Sequence, residues 1–96
     1  MATATMRYNT VRKIKGDLRI SHNAMDADIS DNVDACIADL VICGVQSPNE
    51  EDPTILSAIK LYCRAMYSDD GESYLERYNA LKSTLMIAEG YGGTDG

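Results

Sequence analysis

The chain contains no tryptophan and no phenylalanine, and only one histidine and two prolines among its 96 residues. Without the two bulkiest apolar aromatics, a core has to be assembled from Leu, Ile, Val, Met and the six tyrosines. A single domain of this size buries only about 60–65% of the surface its unfolded chain exposes. The core is therefore expected to be lean, and a partner surface would add much to its stability. Long apolar runs are also missing. The longest, ACIADLVICGV, is broken by Asp39 and is too short to cross a bilayer. The opening MATATMRYNT has neither an apolar signal-peptide core nor a cleavage pattern. These features lead to the expectation of a soluble intracellular chain.

Chemistry-bearing residues are sparse. Cys36, Cys43 and Cys63 are an odd number, which argues against a disulfide framework. His22 has no partner at the spacing of a zinc site. There is no internal repeat, glycine-rich phosphate loop, nucleophile elbow or base–acid pair. The thiols read as small buried hydrophobes, and no catalytic residue, metal or cofactor is expected.

Charge is divided along the chain. Residues 1–20 carry Arg7, Arg12, Lys13, Lys15 and Arg19 against Asp17 alone, a local balance of +4, while residues 21–56 carry eight carboxylates and no Lys or Arg. The overall charge of −6 disfavours general binding to nucleic acid, whose affinity comes largely from cations on phosphates. The segment MDADISDNVD sets Asp26, Asp28, Asp31 and Asp34 close together and invites a calcium-loop reading. Counted from Asp26, the sixth position is Asp31 where an EF-hand requires glycine, and the twelfth is Ile37 where it requires a bidentate Glu. The segment reads better as a helix start. Asp26 or Asp28 would cap the first turn, and the helix dipole would favour Asp31 there.

Hydrophobic spacing predicts an all-α fold, a small bundle of about four helices with flexible termini. The first helix is expected from about Thr10 to Leu18, with Val11, Ile14 and Leu18 inward and Thr10 or Asn9 as cap; Gly16 weakens it. Residues 1–9 would be a flexible arm. The second follows the stripe Ile29, Val33, Cys36, Ile37, Leu40, Val41 and ends at Gly44 in a left-handed cap. Asp52 and Pro53 start the third, which carries Ile55, Ala58, Ile59, Tyr62, Cys63 and Met66 to about Tyr67. After SDDG, Tyr74, Tyr78, Leu81, Leu85 and Ala88 mark the last, and Tyr62, Tyr74 and Tyr78 belong to the core. The helical domain thus spans residues 10–89, with residues 90–96 a mobile tail.

The succession VRKIKGDLRI, DADISDNVDACIADL, GV, DPTILSAIKLYCRAMY and YLERYNALKSTLMIAEGY resembles the head–tail connector, or adaptor, proteins of long-tailed bacteriophages. It covers about Val11 to Tyr91 and includes the Ala58, Ile59 and Leu61 core of the third helix. The resemblance implies a helical subunit in a homo-oligomeric ring of about twelve copies. Such a ring would be assembled in the host cytoplasm, placed in the virion at the head–tail interface and docked on the portal protein. It would extend the DNA channel, let DNA pass without specific binding, and receive a downstream neck or tail protein. On that reading, Arg7, Arg12, Lys13, Lys15 and Arg19 would meet the run Asp26, Asp28, Asp31, Asp34 and Asp39 of an adjacent subunit. Tyr91, Gly92 and Gly93 would dock on the portal, with Tyr91 as a rigid apolar anchor. No membrane is involved. The alternative is a small helical regulatory protein that binds DNA or a protein partner. Against a helix-turn-helix stand the long acidic loop before the third helix and a third helix with only Lys60 and Arg64 as cations.

Overall fold

A computed structural model describes residues 2–88 and 90–92, and the side chains of residues 2–4 are left aside. Four helices follow one another: α1 (Ala2–Leu18), α2 (Asp26–Ile42), α3 (Pro53–Tyr67) and α4 (Gly71–Ile87). There is no strand among the described residues. The chain is a small all-α bundle.

Ends of helices are fixed by local chemistry. Asp52 Oδ1 accepts a hydrogen bond from the Thr54 N–H at 2.8 Å, and Pro53 occupies the first turn of α3, where its missing N–H goes unused. At the end of α2, Gly44 adopts φ +108°, its N–H donates to Val41 O, and Val45 N–H donates to Leu40 O. This paired closure satisfies two carbonyls that the helix leaves open. The end of α1 repeats the pattern, with Arg19 N–H on Gly16 O and Ile20 N–H on Lys15 O, but the left-handed position (φ +61°) is held by arginine. At the first position of α4, a Cβ on Gly71 would come within 2.5 Å of Ala65 O, so only glycine fits.

Pairings across the bundle give its topology. Arg7 meets Asp34 and Lys15 meets Asp26, so α1 and α2 run antiparallel. Asp39 meets Lys82, and Gly92 lies between the carbonyls of Gly44 and Met86, so α2 and α4 run in the same direction. Each of α1, α2 and α4 packs on α3. The core consists mainly of Ile14, Ile29, Val33, Leu40, Ile55, Ile59 and Leu85, all fully or nearly fully buried. Burying each such side chain contributes about 1.5–3 kcal/mol relative to exposure. Tyr78 is buried with its ring 5.3 Å from that of Tyr62.

Several expectations need correction. The first helix begins at Ala2, not near Thr10, so residues 2–9 of the expected flexible arm are helical; Met1 lies outside the described residues. Thr10 is not a cap; it is buried within α1, and its hydroxyl donates to Met6 O at 3.0 Å. The reason is tertiary, since Arg7 fastens these turns to α2 and to the α2–α3 loop. At the start of α2 the cap position is Met25, with no side-chain cap bond, so neither Asp26 nor Asp28 caps. Asp26 turns to Lys15 instead. Val41 and Met66, placed on inward stripes, are about half exposed because nothing packs outside them at the ends of their helices. Tyr91, expected in a free tail, folds back against the core.

Candidate assembly surfaces

The cations of α1 fall into two sets. Arg7 is consumed internally: its Nε and Nη2 grip both oxygens of Glu50 at 2.9 and 3.0 Å, and its Nη1 reaches Ser30 Oγ and Asp34 Oδ1. Glu50 is 4% exposed, and burial alone would raise its carboxyl pKa. The Arg7 fork and Thr10 hydroxyl outweigh that penalty and hold it below its ordinary value, while Glu50 raises Arg7 in turn. Lys15 bridges Asn23 Oδ1 and Asp26 Oδ1, both at 2.8 Å, the latter contact being an ion pair rather than a well-directed hydrogen bond.

Arg12, Lys13 and Arg19 form the second set. They are exposed and make no ion pair among the described residues. With Thr5, Tyr8, Asn9 and Gly16, Arg12 and Lys13 make up one continuous exposed stripe along α1. The Arg12 guanidinium lies 5.9 Å from the centre of the Tyr8 ring, and Tyr8 is 63% exposed.

The acids of α2 divide in the same way. Asp26 and Asp34 serve Lys15 and Arg7, although Asp34 keeps 66% of its side chain exposed. Asp39 accepts from the Tyr78 hydroxyl at 2.7 Å and from Lys82 Nζ at 2.8 Å. Lys82 first and Tyr78 second hold the Asp39 carboxyl below its ordinary value, while burial and the Asp39 carboxylate push the Tyr78 phenol upward. Asp28 and Asp31 are exposed and form no ion pair among the described residues. Together with Ala27, Asp34, Ala35, Ala38, Val41 and Ile42 they form the outer stripe of α2, acidic in its first half and apolar in its second.

A third surface lies where α2 and α4 end together. Ile42 is 83% and Ile87 77% exposed, and Val41 and Met86, in the same last turns of the two helices, are exposed as well. Two of the expected docking residues border this end. Gly92 sits so tightly that a Cβ would come within 2.6 Å of Gly44 O and 2.9 Å of Met86 O. The Tyr91 carbonyl accepts from the Gln46 N–H, and its hydroxyl donates to Asp52 Oδ2 at 2.8 Å. Tyr91 is therefore an anchor within its own chain. Gly93 lies outside the described residues.

Little in the bundle favours chemistry. Burial pushes the Cys36 and Cys63 thiols up to about 12, leaving them protonated and poor nucleophiles or ligands. Among the described residues, no three His, Cys, Asp or Glu side chains group so as to hold a metal ion. A cleft of about 430 Å³ opens between the ends of α1 and α3, but its Arg64 is committed to both oxygens of Asp17 and to the Tyr74 hydroxyl. No described helix is long and apolar enough to cross a membrane.

Sequence reasoning missed Glu50, which looked like one acid of a polar loop, and nothing local marks it as buried. It also missed Ile42, Met86 and Ile87. For these a signal existed, since three large apolar residues lie off the inward stripes at the last turns of two helices. Comparison with protein-family models, with curated proteins and with solved structures yields no match. The class that stands is a small four-helix bundle with segregated charge and an apolar end.

Proposed function

We propose that the chain is a structural subunit of a phage head–tail connector ring, docked on a portal and carrying a neck or tail protein on its far side. The observation that carries this reading is the apolar end built by Ile42, Met86 and Ile87. Large exposed side chains gathered at one end of a small body mark a docking surface, and an end surface is what a stacked ring offers the platform beneath it. The resemblance of the helix succession to connector proteins supplies the identity of that platform. Exposed Asp69, Asp70, Glu72 and Glu76, around the turn into α4 and along it, suit a wall past which DNA moves without adhering. A DNA-binding regulator is less well supported, because Arg64, one of the two cations of α3, is tied to Asp17.

Co-sedimentation with portal rings encoded in the same genome tests the proposal. The parent chain is expected to pellet with the portal, and Ile42→Asp with Ile87→Asp to stay in the supernatant while keeping its helical circular dichroism. A parent chain that does not bind portal refutes the connector reading. A double variant that binds like the parent refutes the assignment of the end.

A further inference from the structure

The cleft of about 430 Å³ is walled by the end of α1, the residue that precedes α2 and the end of α3. Its apolar wall is Leu18, Ile20 and Met25, partly buried side chains packed against the core. Of its charged residues, Asp17 and Arg64 neutralise each other, and Arg64 also donates to the Tyr74 hydroxyl at 3.1 Å. What is left unspent is of one kind, hydrogen-bond donors. Arg19 is exposed and makes no ion pair among the described residues. The Tyr67 hydroxyl accepts from Asn32 Nδ2 at 2.7 Å and still has its own O–H to give. Burial first, with the Asp28 and Asp31 carboxylates adding to it, raises the Tyr67 phenol, so it keeps that proton. Ser68 also lines the cleft and carries a hydroxyl. Arg19 stands, moreover, at φ +61°, in a helix closure that glycine usually supplies. A side chain kept where it costs conformational energy points to a use for its guanidinium.

From this combination we infer that the cleft takes the C-terminal residue of a partner protein, its apolar side chain against Leu18, Ile20 and Met25 and its carboxylate on Arg19. Arginine meets a carboxylate with two parallel N–H donors, and the Tyr67 and Ser68 hydroxyls stand in the same cleft. The volume lies near the lower end of the range for small-ligand sites, about 300–1,000 Å³, so it suits one or two residues rather than a helix. A chain end brings carboxylate and apolar side chain together within one residue, whereas an internal acidic residue carries chain away on both sides. An extended polyanion is disfavoured, because Asp28 and Asp31 act on the same Tyr67. Met25 and Ile42 bound the two ends of α2, about 25 Å apart at 1.5 Å per residue. The cleft therefore opens at the far end of the body from the apolar surface. That the chain end belongs to a neck or tail protein rests on the connector reading above; the chemistry of the cleft does not.

Nuclear magnetic resonance of the purified, nitrogen-15-labelled chain, without portal, tests it. The probe is acetyl-Gly-Gly-Leu with a free carboxylate, run beside the same peptide ending in an amide and beside hexanoate, which has the acid and the apolar chain but no peptide. The free-acid peptide is expected to shift the amide signals of Leu18, Ile20, Met25 and Ser68 in a saturable way. Amidation should weaken binding by at least about tenfold, since it removes the charge that Arg19 meets. Arg19→Gly should lose binding to the same extent while its Tm rises, and Arg19→Lys should keep part of the affinity. A role of Arg19 in the fold alone would not separate binding from stability in this way. The inference is overturned by a free-acid peptide that shifts none of these signals, by an amide that binds as well as the acid, or by Arg19→Gly binding like the parent. Hexanoate binding without peptide binding overturns the assignment to a chain end. Portal co-sedimentation is read separately, so the docking proposal and this site can fail independently.

Discussion

Helices α1 and α3 are of similar length, 17 and 15 residues, yet they are held in the bundle by different physics. α3 buries Ile55, Leu56, Ala58, Ile59 and Cys63 and touches every other helix. Among its described side chains, α1 gives the core Val11 and Ile14 as its fully or nearly fully buried apolar ones. Its attachment comes instead from Arg7 on Glu50, Ser30 and Asp34, from Lys15 on Asp26, and from Asp17 on Arg64. A lean sequence without Phe or Trp thus holds one helix by apolar burial and another largely by charge. The charge-held helix leaves its outer cations, Arg12 and Lys13, exposed and without an ion pair among the described residues.

The largest effect is expected from the apolar side of this contrast. Ile59→Ala leaves a cavity in the core at a fully buried position and should lower unfolding free energy by about 2–5 kcal/mol, read from the urea midpoint. Next comes the buried pair. Glu50→Ala removes the carboxylate that the four-fifths-buried Arg7 side chain grips, leaving it Asp34 and Ser30 alone, and should cost about 2–3 kcal/mol after allowance for those partners and its residual solvation. Replacing both partners, as Arg7→Met with Glu50→Leu, should recover most of that loss. If the double variant is no better than Glu50→Ala, α1 is not held as described.

Acid should loosen α1 before α3. Glu50, gripped by Arg7 of α1, has a folded-state pKa below its unfolded one, so its contribution is complete above the unfolded value, near 4. It is lost as pH falls from there through the lowered folded value. Hydrogen exchange across a pH series ending near pH 3 should show α1 amides losing protection at higher pH than those of α3. The smallest effect expected is a gain. Arg19 occupies a left-handed position with a Cβ, so Arg19→Gly should stabilise by about 0.5–1 kcal/mol, visible as a small rise in Tm.

The same contrast explains what could be read in advance. The sequence spacing of Ile55, Ala58, Ile59 and Cys63, with Asp52-Pro53 ahead of it, is a local signal, and α3 lies where it indicates. Gly44 likewise marks the end of α2. The start of α1 was illegible because the residues that hold it, Glu50 and Ser30, lie 43 and 23 positions away. Tyr91 was misjudged for the same reason, its partner Asp52 being 39 positions upstream. Of the assembly surfaces, the division between basic and acidic segments was plain in the sequence. Which charges are spent internally (Arg7, Lys15, Asp26, Asp39) and which face outward (Arg12, Lys13, Asp28, Asp31) required the packed bundle.

Negative-stain electron microscopy of portal rings incubated with the full chain in low salt tests the central claim most directly. The expected image is an additional layer stacked on the portal around a continuous central channel, absent when Ile42→Asp/Ile87→Asp replaces the parent. Portal rings that remain bare at saturating parent chain would contradict it.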